Sequence, residues 1–370
     1  MRGLRGGACA GGGVVAVSGD MNKPPSDDQP DDLLRDIWYF ALPSGALEPG
    51  RLVSRSLLGD PVVFGRGPDG AAFALRDICP HRGIPLSDGR MTSGEVECRY
   101  HGWRFGANGV CTAIPSLVEG QDMDISRIRV RRYPIHEAQG CIWIFMASDG
   151  SVEPPPPPTL PEVADHPRLV ETMEFPCHVD HAVVGLMDPA HGPFVHKSWW
   201  WRSRRSIHAK EKRFGPSELG FSMLRQAPSS NSAAYRILGG EMTTEIAFRL
   251  PGIRIEHVKA GRNALVGLTA VTPITAETTI IHQMMYWTMP WLSALRPILR
   301  PFVRKFLGQD RDIVVQQQRG LRHDPTLLLI NDADMQAKWY YRLKKAHERS
   351  IAEGVAFENP VRETTLRWRS

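Results

Sequence analysis

Apolar positions fall into two regimes along the chain. From about Leu33 to Ser151 they form short β-type runs separated by turn residues. Val62-Val63-Phe64 and Ala71 to Leu75 flank the stretch Gly65 to Gly70, which satisfies a Gly-x-Gly-x-x-Gly pattern. A dinucleotide fingerprint must open a helix after a strand. Here Pro68-Asp69-Gly70 leads into another short apolar run, so a hairpin is expected. Five prolines, Pro154 to Pro158, then form a stiff extended spacer that fits neither helix nor sheet. Beyond it come strand-like segments at Arg168 to Phe175, Ala264 to Val271 and Thr279 to Trp287. The chain closes with helical periodicity over Leu295 to Gln318 and Asp334 to Ala352. The pattern predicts an α+β protein with a small all-β unit in front. Its expected parts are a disordered segment 1–32, a first domain 33–151, a proline-rich linker 152–162 and a second domain 163–370.

Composition narrows the classes. With 370 residues, 42% hydrophobic and 23% charged, the chain has material for two ordinary domains and a sizeable core. A formal charge of +5 is small for this length, and no Lys/Arg block suggests a nucleic-acid partner. Arg202, Arg204 and Arg205 read as a solvated face or docking patch. No apolar run approaches the ~20 residues that span a bilayer. The first twenty residues lack the continuous apolar core of a signal peptide, and Met21 is a second candidate start. Six cysteines are too few for a disulfide scaffold, which points to a reducing compartment, the cytoplasm by default.

The cysteines instead suggest a metal. Cys79-Pro80-His81-Arg82-Gly83 and Cys98-Arg99-Tyr100-His101-Gly102-Trp103 each carry one Cys and one His, with sixteen residues between His81 and Cys98. Zinc fingers usually pair Cys with Cys and His with His, although zinc at these ligands stays an alternative. A Rieske-type [2Fe-2S] centre holds one iron by two Cys and the other by two His, and two mixed loops meet that demand. Gly83 and Gly102 permit the tight loops such a centre needs. Cys9, Cys111, Cys141 and Cys177 lack such partners and read as small buried or exposed residues.

A second cluster lies at Asp188-Pro189-Ala190-His191-Gly192-Pro193-Phe194-Val195-His196. Asp188 and His191 can share a helical face, but His196 lies about 140° round a straight helix from His191. A break at Gly192-Pro193 is therefore expected to let both imidazoles face one ion. Two His and one carboxylate with open positions form the site type of Fe(II) oxygen chemistry. On the C-terminal helix, Leu299, Val303, Phe306 and Ile313 mark an apolar stripe that includes Asp310. A carboxylate there is costly unless paired or bound to metal, so Asp310 is the expected third ligand and Asp312 the substitute. A salt bridge of Asp310 with Arg304 or Arg311 is the plainer alternative. His178 and His181 stand close by and read as core or surface residues. Trp199, Trp200 and Trp201 read as pocket, packing or contact residues, and Met284, Met285, Trp287, Met289 and Trp291 as core.

On these residues, with Ile84-Pro85-Leu86-Ser87, Arg104-Phe105 and Gly109 extending the first motif, the chain resembles the Rieske non-haem iron oxygenases. The resemblance implies Cys79, His81, Cys98 and His101 on a [2Fe-2S] cluster, and His191, His196 and Asp310 on a mononuclear Fe(2+). It implies that Asp188 is no ligand but a bridge, hydrogen-bonding a cluster histidine of one subunit to an iron histidine of its neighbour. It further implies a helix-grip (START/Bet v 1-like) catalytic domain, a head-to-tail homotrimer, and a separate electron-donating reductase, with or without a ferredoxin. The single-chain pattern looks closer to vanillate- and dicamba-demethylase-like monooxygenases than to dihydroxylating α subunits. A cis-dihydroxylating dioxygenase, and an electron carrier or redox sensor with a degenerate second domain, are the alternatives. Family members with similar motifs often carry an Asn where this chain has Val184 and Gly185.

Overall fold

The computed structural model describes residues 15–16, 32–121, 123–148, 153–160, 166–196, 207–226 and 241–370. Cys9, Trp199, Trp200, Trp201, Arg202, Arg204, Arg205 and nearly all of segment 1–32 lie outside the described residues. No helix among the described residues is long and apolar enough to cross a membrane.

The front unit is built from short antiparallel strands: β1 (Ile37–Pro43), β2 (Val53–Leu57), β3 (Asp60–Arg66), β4 (Ala72–Arg76), β5 (Arg90–Thr92), β6 (Glu95–Glu97), β7 (Arg104–Phe105), β8 (Cys111–Ala113), β9 (Arg132–Tyr133), β10 (Ile135–Ala138) and β11 (Cys141–Met146). They form three small sheets, ordered β9-β4-β3-β2, β10-β11-β1 and β5-β6-β7-β8. The glycine-rich stretch is the β3–β4 hairpin, in register Gly65 to Phe73 and Arg66 to Ala72, and not a nucleotide loop. Gly70 takes the positive φ that the turn requires.

The second unit contains β12 (Leu169–Phe175), α1 (Val179–Met187), α2 (Gly192–Val195), β13 (Ala209–Ser217), β14 (Gly220–Gln226), β15 (Met242–Arg249), β16 (Ile253–Ala260), β17 (Asn263–Pro273), β18 (Thr279–Trp287), α3 (Pro290–Ala294), α4 (Arg296–Leu321), α5 (Met335–Glu353) and β19 (Thr364–Arg369). Among the described residues its strands make one eight-stranded antiparallel sheet, ordered β12-β18-β17-β16-β15-β14-β13-β19. Both faces of the sheet are covered, which is why apolar residues stand at odd and even positions of β17 and β18. Val266, Leu268, Ala270, Met284 and Tyr286 pack on Trp38, Phe40, Trp143 and Phe145 of the front unit. Leu169, Val258 and Trp287 pack instead with Leu292, Leu295 and Leu299 of the α3–α4 segment. A third cluster joins Tyr39 and Ile144 to Val183, Leu307, Val314 and Leu343, so apolar burial runs across the two units.

Polar contacts fix the same seam. Thr272 Oγ1 donates to Phe40 O at 2.8 Å, and the backbone N–H groups of Leu58 and Gly59 donate to Pro273 O and Ile274 O. The proline run is strapped down: Trp38 Nε1 donates to Pro155 O at 2.7 Å, and the Gln139 amide pairs with Leu160 in both directions. Asp180, buried in α1, accepts from Tyr340 Oη at 2.6 Å and pairs with Lys344 Nζ at 3.0 Å, tying α1 to α5. Helix α4 buries Leu307, Val314 and Leu321, while Phe306 and Ile313 are 42% and 45% exposed. The expected stripe holds at Leu299 and Val303, which pack beside Trp287, and beyond them the buried face shifts by one residue to Leu307 and Val314.

His282 on β18 sits inside the seam, its ring 4.7 Å from that of Phe40 and its Nδ1 3.0 Å from Thr172 Oγ1. Burial, with the charge of Arg55 adding to it, lowers its pKa to about 3 from 6.5. The unfolded chain protonates this imidazole first, so the stability it contributes is whole at neutral pH and is lost as pH falls from 6.5 toward about 3. Acidification from about pH 7 to about pH 5 is expected to cost about 2 kcal/mol through His282 alone. Urea melts at both pH values check this: His282→Gln should lose correspondingly less stability than wild type, and equal losses would refute the assignment.

Candidate metal centres

The two Cys/His loops share one backbone frame. Cys79 N–H donates to Ile84 O and Cys98 N–H to Trp103 O, both at 2.8 Å. Four residues after each Cys, Gly83 N–H and Gly102 N–H return to the Cys carbonyl at 2.9 and 3.0 Å. Both glycines have positive φ, +74° and +72°, and Pro115 would crowd a side chain at Gly102. Each loop contributes one Cys and one His, and the fold sorts them by type. The Cys79 and Cys98 thiols are buried side by side. The His81 and His101 rings lie 4.5 Å apart between centroids and are partly exposed. Trp103 stacks on His81 at 4.6 Å with the planes 6° apart, a contact absent from the sequence reading.

Two further observations suit this set to a metal cluster. His81 Nδ1 is buried with no hydrogen-bond partner. Burial pushes the Cys79 thiol up to about 11, the adjoining Cys98 adding to the rise and the His81 backbone opposing it. A bare thiolate is unfavourable there, and a cationic iron centre supplies the compensating charge. Cys111, Cys141 and Cys177 are buried free thiols elsewhere in the fold, as their lack of partners in sequence leads one to expect.

The second constellation joins residues more than a hundred positions apart. His191 Nε2 lies 3.1 Å from His196 Nε2, and Asp310 Oδ1 lies 3.2 Å from His196 Nε2 and 3.7 Å from His191 Nε2. Donor atoms bound to one cation at about 2.1 Å stand roughly 3–3.7 Å apart, so three such atoms facing one point fit a single metal ion. The chain break that allows this is one turn earlier than expected. Helix α1 ends at Met187, with Asp188 extended at its C-cap (φ −63°, ψ 116°). The following Pro189 disfavours helical backbone at Asp188, whereas Pro193 lies in the first turn of α2, where proline is tolerated. His191 caps α2 at its start and His196 at its end, and the short helix aims both imidazoles at α4.

Asp188 is not among the three atoms. Its Oδ2 faces His191 Nδ1 at 3.5 Å, an ion-pair contact longer than a formed hydrogen bond, while Oδ1 accepts from Ala190 N–H at 2.7 Å. Burial would raise the Asp188 carboxyl, but the contacts with His191 outweigh it and hold the group below its usual range. Burial likewise opposes charge on His191, and the Asp188 contact and charge, with Asp310, raise its pKa nonetheless. His196 is almost fully buried; Gln309 Oε1 lies 3.2 Å from its Nδ1, and Phe306 stacks on its ring at 3.7 Å.

The other sequence candidates fall outside this centre. Asp312 is exposed on α4. Arg311 Nε donates to Glu174 O rather than to Asp310. His178 caps α1, its Nδ1 accepting from Asp180 N–H, and His181 is buried in α1 with its pKa lowered by burial. Asp32, His178 and Asp180 also cluster, but the Lys344 ammonium already lies 3.0 Å from both carboxylates. Val184 packs against the core and Gly185 is exposed with open space where a side chain would stand.

Comparison with known proteins finds two domain matches along the chain. Residues 37–134 match the Rieske [2Fe-2S] domain, and residues 175–349 match the vanillate O-demethylase oxygenase C-terminal domain. The chloroplastic chlorophyllide a oxygenase of Chlamydomonas reinhardtii is 29% identical over 88% of this chain, which spans 50% of that protein. The oxygenase component of dicamba O-demethylase from Stenotrophomonas maltophilia is 33% identical over 45% of this chain and 48% of its own length. The chain thus spans about half the length of these relatives. Crystalline apo dicamba monooxygenase superposes with a TM-score of 0.66 at 19% identity, covering 87% of this chain and 99% of that one, so the fold is shared.

The two centres should separate chemically. His191→Ala is expected to remove about one iron per chain of about three while leaving the visible absorbance of the cluster unchanged. Iron analysis beside the absorption spectrum reads both quantities, and full iron content in the variant would remove His191 from the ligand set.

Proposed function

Because the chain belongs to the Rieske non-haem iron oxygenases, we propose that it is a terminal oxygenase that inserts one oxygen atom into an aromatic or other apolar small molecule, by hydroxylation or by O- or N-demethylation. The observation that carries this reading is the convergence of His191, His196 and Asp310 on one point behind a domain with separate Cys and His pairs. The cofactors are a [2Fe-2S] cluster, which supplies single electrons, and a mononuclear Fe(2+), which supplies open positions for O2. Cys79, His81, Cys98 and His101 would hold the first, and His191, His196 and Asp310 the second.

The protein's own groups have distinct tasks in this scheme. His191, His196 and Asp310 would hold the Fe(2+), whose remaining positions would serve oxygen chemistry. Asp188 faces the Nδ1 edge of His191 at 3.5 Å, and we assign it a second contact, to a cluster histidine of a neighbouring copy. The partly exposed His81 and His101 suit such a contact, as does the exposed apolar row Ile298, Phe302, Phe306 and Ile313 on α4. A head-to-tail homotrimer satisfies both. We assign electron supply to a separate reductase, directly or through a ferredoxin; the glycine-rich stretch Gly65 to Gly70 is a hairpin and not a nucleotide site. A reducing compartment such as the cytoplasm suits the free thiols of the described cysteines. The demethylase activity in the dicamba relative's name supports the monooxygenase reading over cis-dihydroxylation.

Asp188→Asn tests the bridge. The variant is expected to retain about three irons per chain and to lose roughly 10- to 100-fold in substrate-coupled O2 uptake, the usual range for a residue behind a metal ligand. Reconstitution with a generic reductase and a panel of aromatic acids, methoxy- and N-methyl compounds and steroids supplies the assay. Undiminished turnover would dismiss the bridging role, and cis-diol as the stoichiometric product would replace monooxygenation with dihydroxylation.

A further inference from the structure

One turn of α4 grips His196 in three ways. Phe306, Gln309 and Asp310 stand at positions i, i+3 and i+4, on one face of the helix. Phe306 lies flat against the imidazole, with centroids 3.7 Å apart and planes at 15°. Asp310 Oδ1 faces Nε2 at 3.2 Å, and Gln309 Oε1 faces Nδ1 at 3.2 Å.

We propose that Gln309 is a positioning residue of the mononuclear centre: its amide carbonyl accepts the Nδ1 proton of His196 and so commits that imidazole to offer its Nε2 lone pair to the metal. The inference rests on the reading of His196 as a ligand and goes beyond it. A neutral imidazole carries its proton on one nitrogen only, and a partner on the other nitrogen decides which one. His196 is 2% exposed, so bulk water does not reach its ring, and Gln309 Oε1 is the acceptor that faces Nδ1. The amide carbonyl can only accept from Nδ1–H, and with the proton held there Nε2 is free on the side of His191 and Asp310. The stacked Phe306 ring keeps the imidazole plane from turning out of this register. The two histidines are thereby treated differently: His191 has the charged Asp188 behind it, and His196 a neutral amide.

The test uses full-length, cluster-bearing protein from which the mononuclear iron has been chelated. Gln309→Leu removes the acceptor, Gln309→Met removes it at unchanged length should Leu not fold, and Gln309→Glu restores one. Anaerobic titration with Fe(II) alone measures affinity, Co(II) absorption reads the ligand field, and the cluster's visible spectrum reports folding. The expected result is a loss of roughly 10- to 100-fold in Fe(II) affinity for Leu and Met, with a changed Co(II) spectrum. Gln309→Glu should recover both. Wild-type affinity in the Leu or Met variant, or equal loss in Glu, overturns the proposal. His196→Ala is the control for the reading beneath it: full iron binding in that variant removes His196 from the ligand set, a failure distinct from that of Gln309.

Discussion

The attachment of α4 to the edge strand β12 is the constraint on which the mononuclear centre depends. Arg300 pairs with the buried Glu171 near the start of the helix, and Arg311 Nε donates to Glu174 O at 3.0 Å a few turns later. Between these two ties Leu307 is buried in the core, so the helix can neither slide nor roll freely. Phe306, Gln309 and Asp310 lie within the clamped stretch and inherit its position. The metal set therefore borrows its precision from an ion pair, a backbone hydrogen bond and a buried leucine, none of which touches the site. A site held on rigid elements keeps its geometry better than one hung on loops.

The opposing half of the centre is positioned by a different device. Helix α1 is tied to α5 through Asp180, Tyr340 and Lys344, and it stops where Pro189 makes helical backbone unfavourable at Asp188. Asp188 turns out of the helix at that stop and meets the Nδ1 edge of His191. One proline thus ends the helix, frees the carboxylate and starts the turn that carries both imidazoles.

The parts of this architecture that were legible in the sequence are those with local signals. The Cys/His loops announce themselves through spacing and neighbouring glycines, and the hairpin through Pro-Asp-Gly. Asp310 stands out because a carboxylate on an apolar helix needs a reason, and the fold brings it beside His191 and His196. The stripe holds at Leu299 and Val303 but not beyond: Phe306 and Ile313 read as core by hydropathy alone, whereas both are substantially exposed and Phe306 stacks on His196. Gly192-Pro193 reads as the break because proline generally interrupts helices, but its effect depends on whether it falls in a first turn, as it does here. Sorting of cysteines with cysteines, and the partnership of Gln309 with His196, depend on how distant segments fold together and leave no trace in spacing.

The strap formed by Trp38 and the proline run sets a limit on motion within the protomer. Pro155 is held by the indole, Leu160 is held on both its backbone groups by Gln139, and the two units share buried side chains across the sheet. The straps hold the proline run against the front unit, while the shared buried side chains hold the front unit against the sheet. Within one chain, the separation of the Cys/His loops from His191, His196 and Asp310 is therefore set by side-chain packing and not by the length of the proline run.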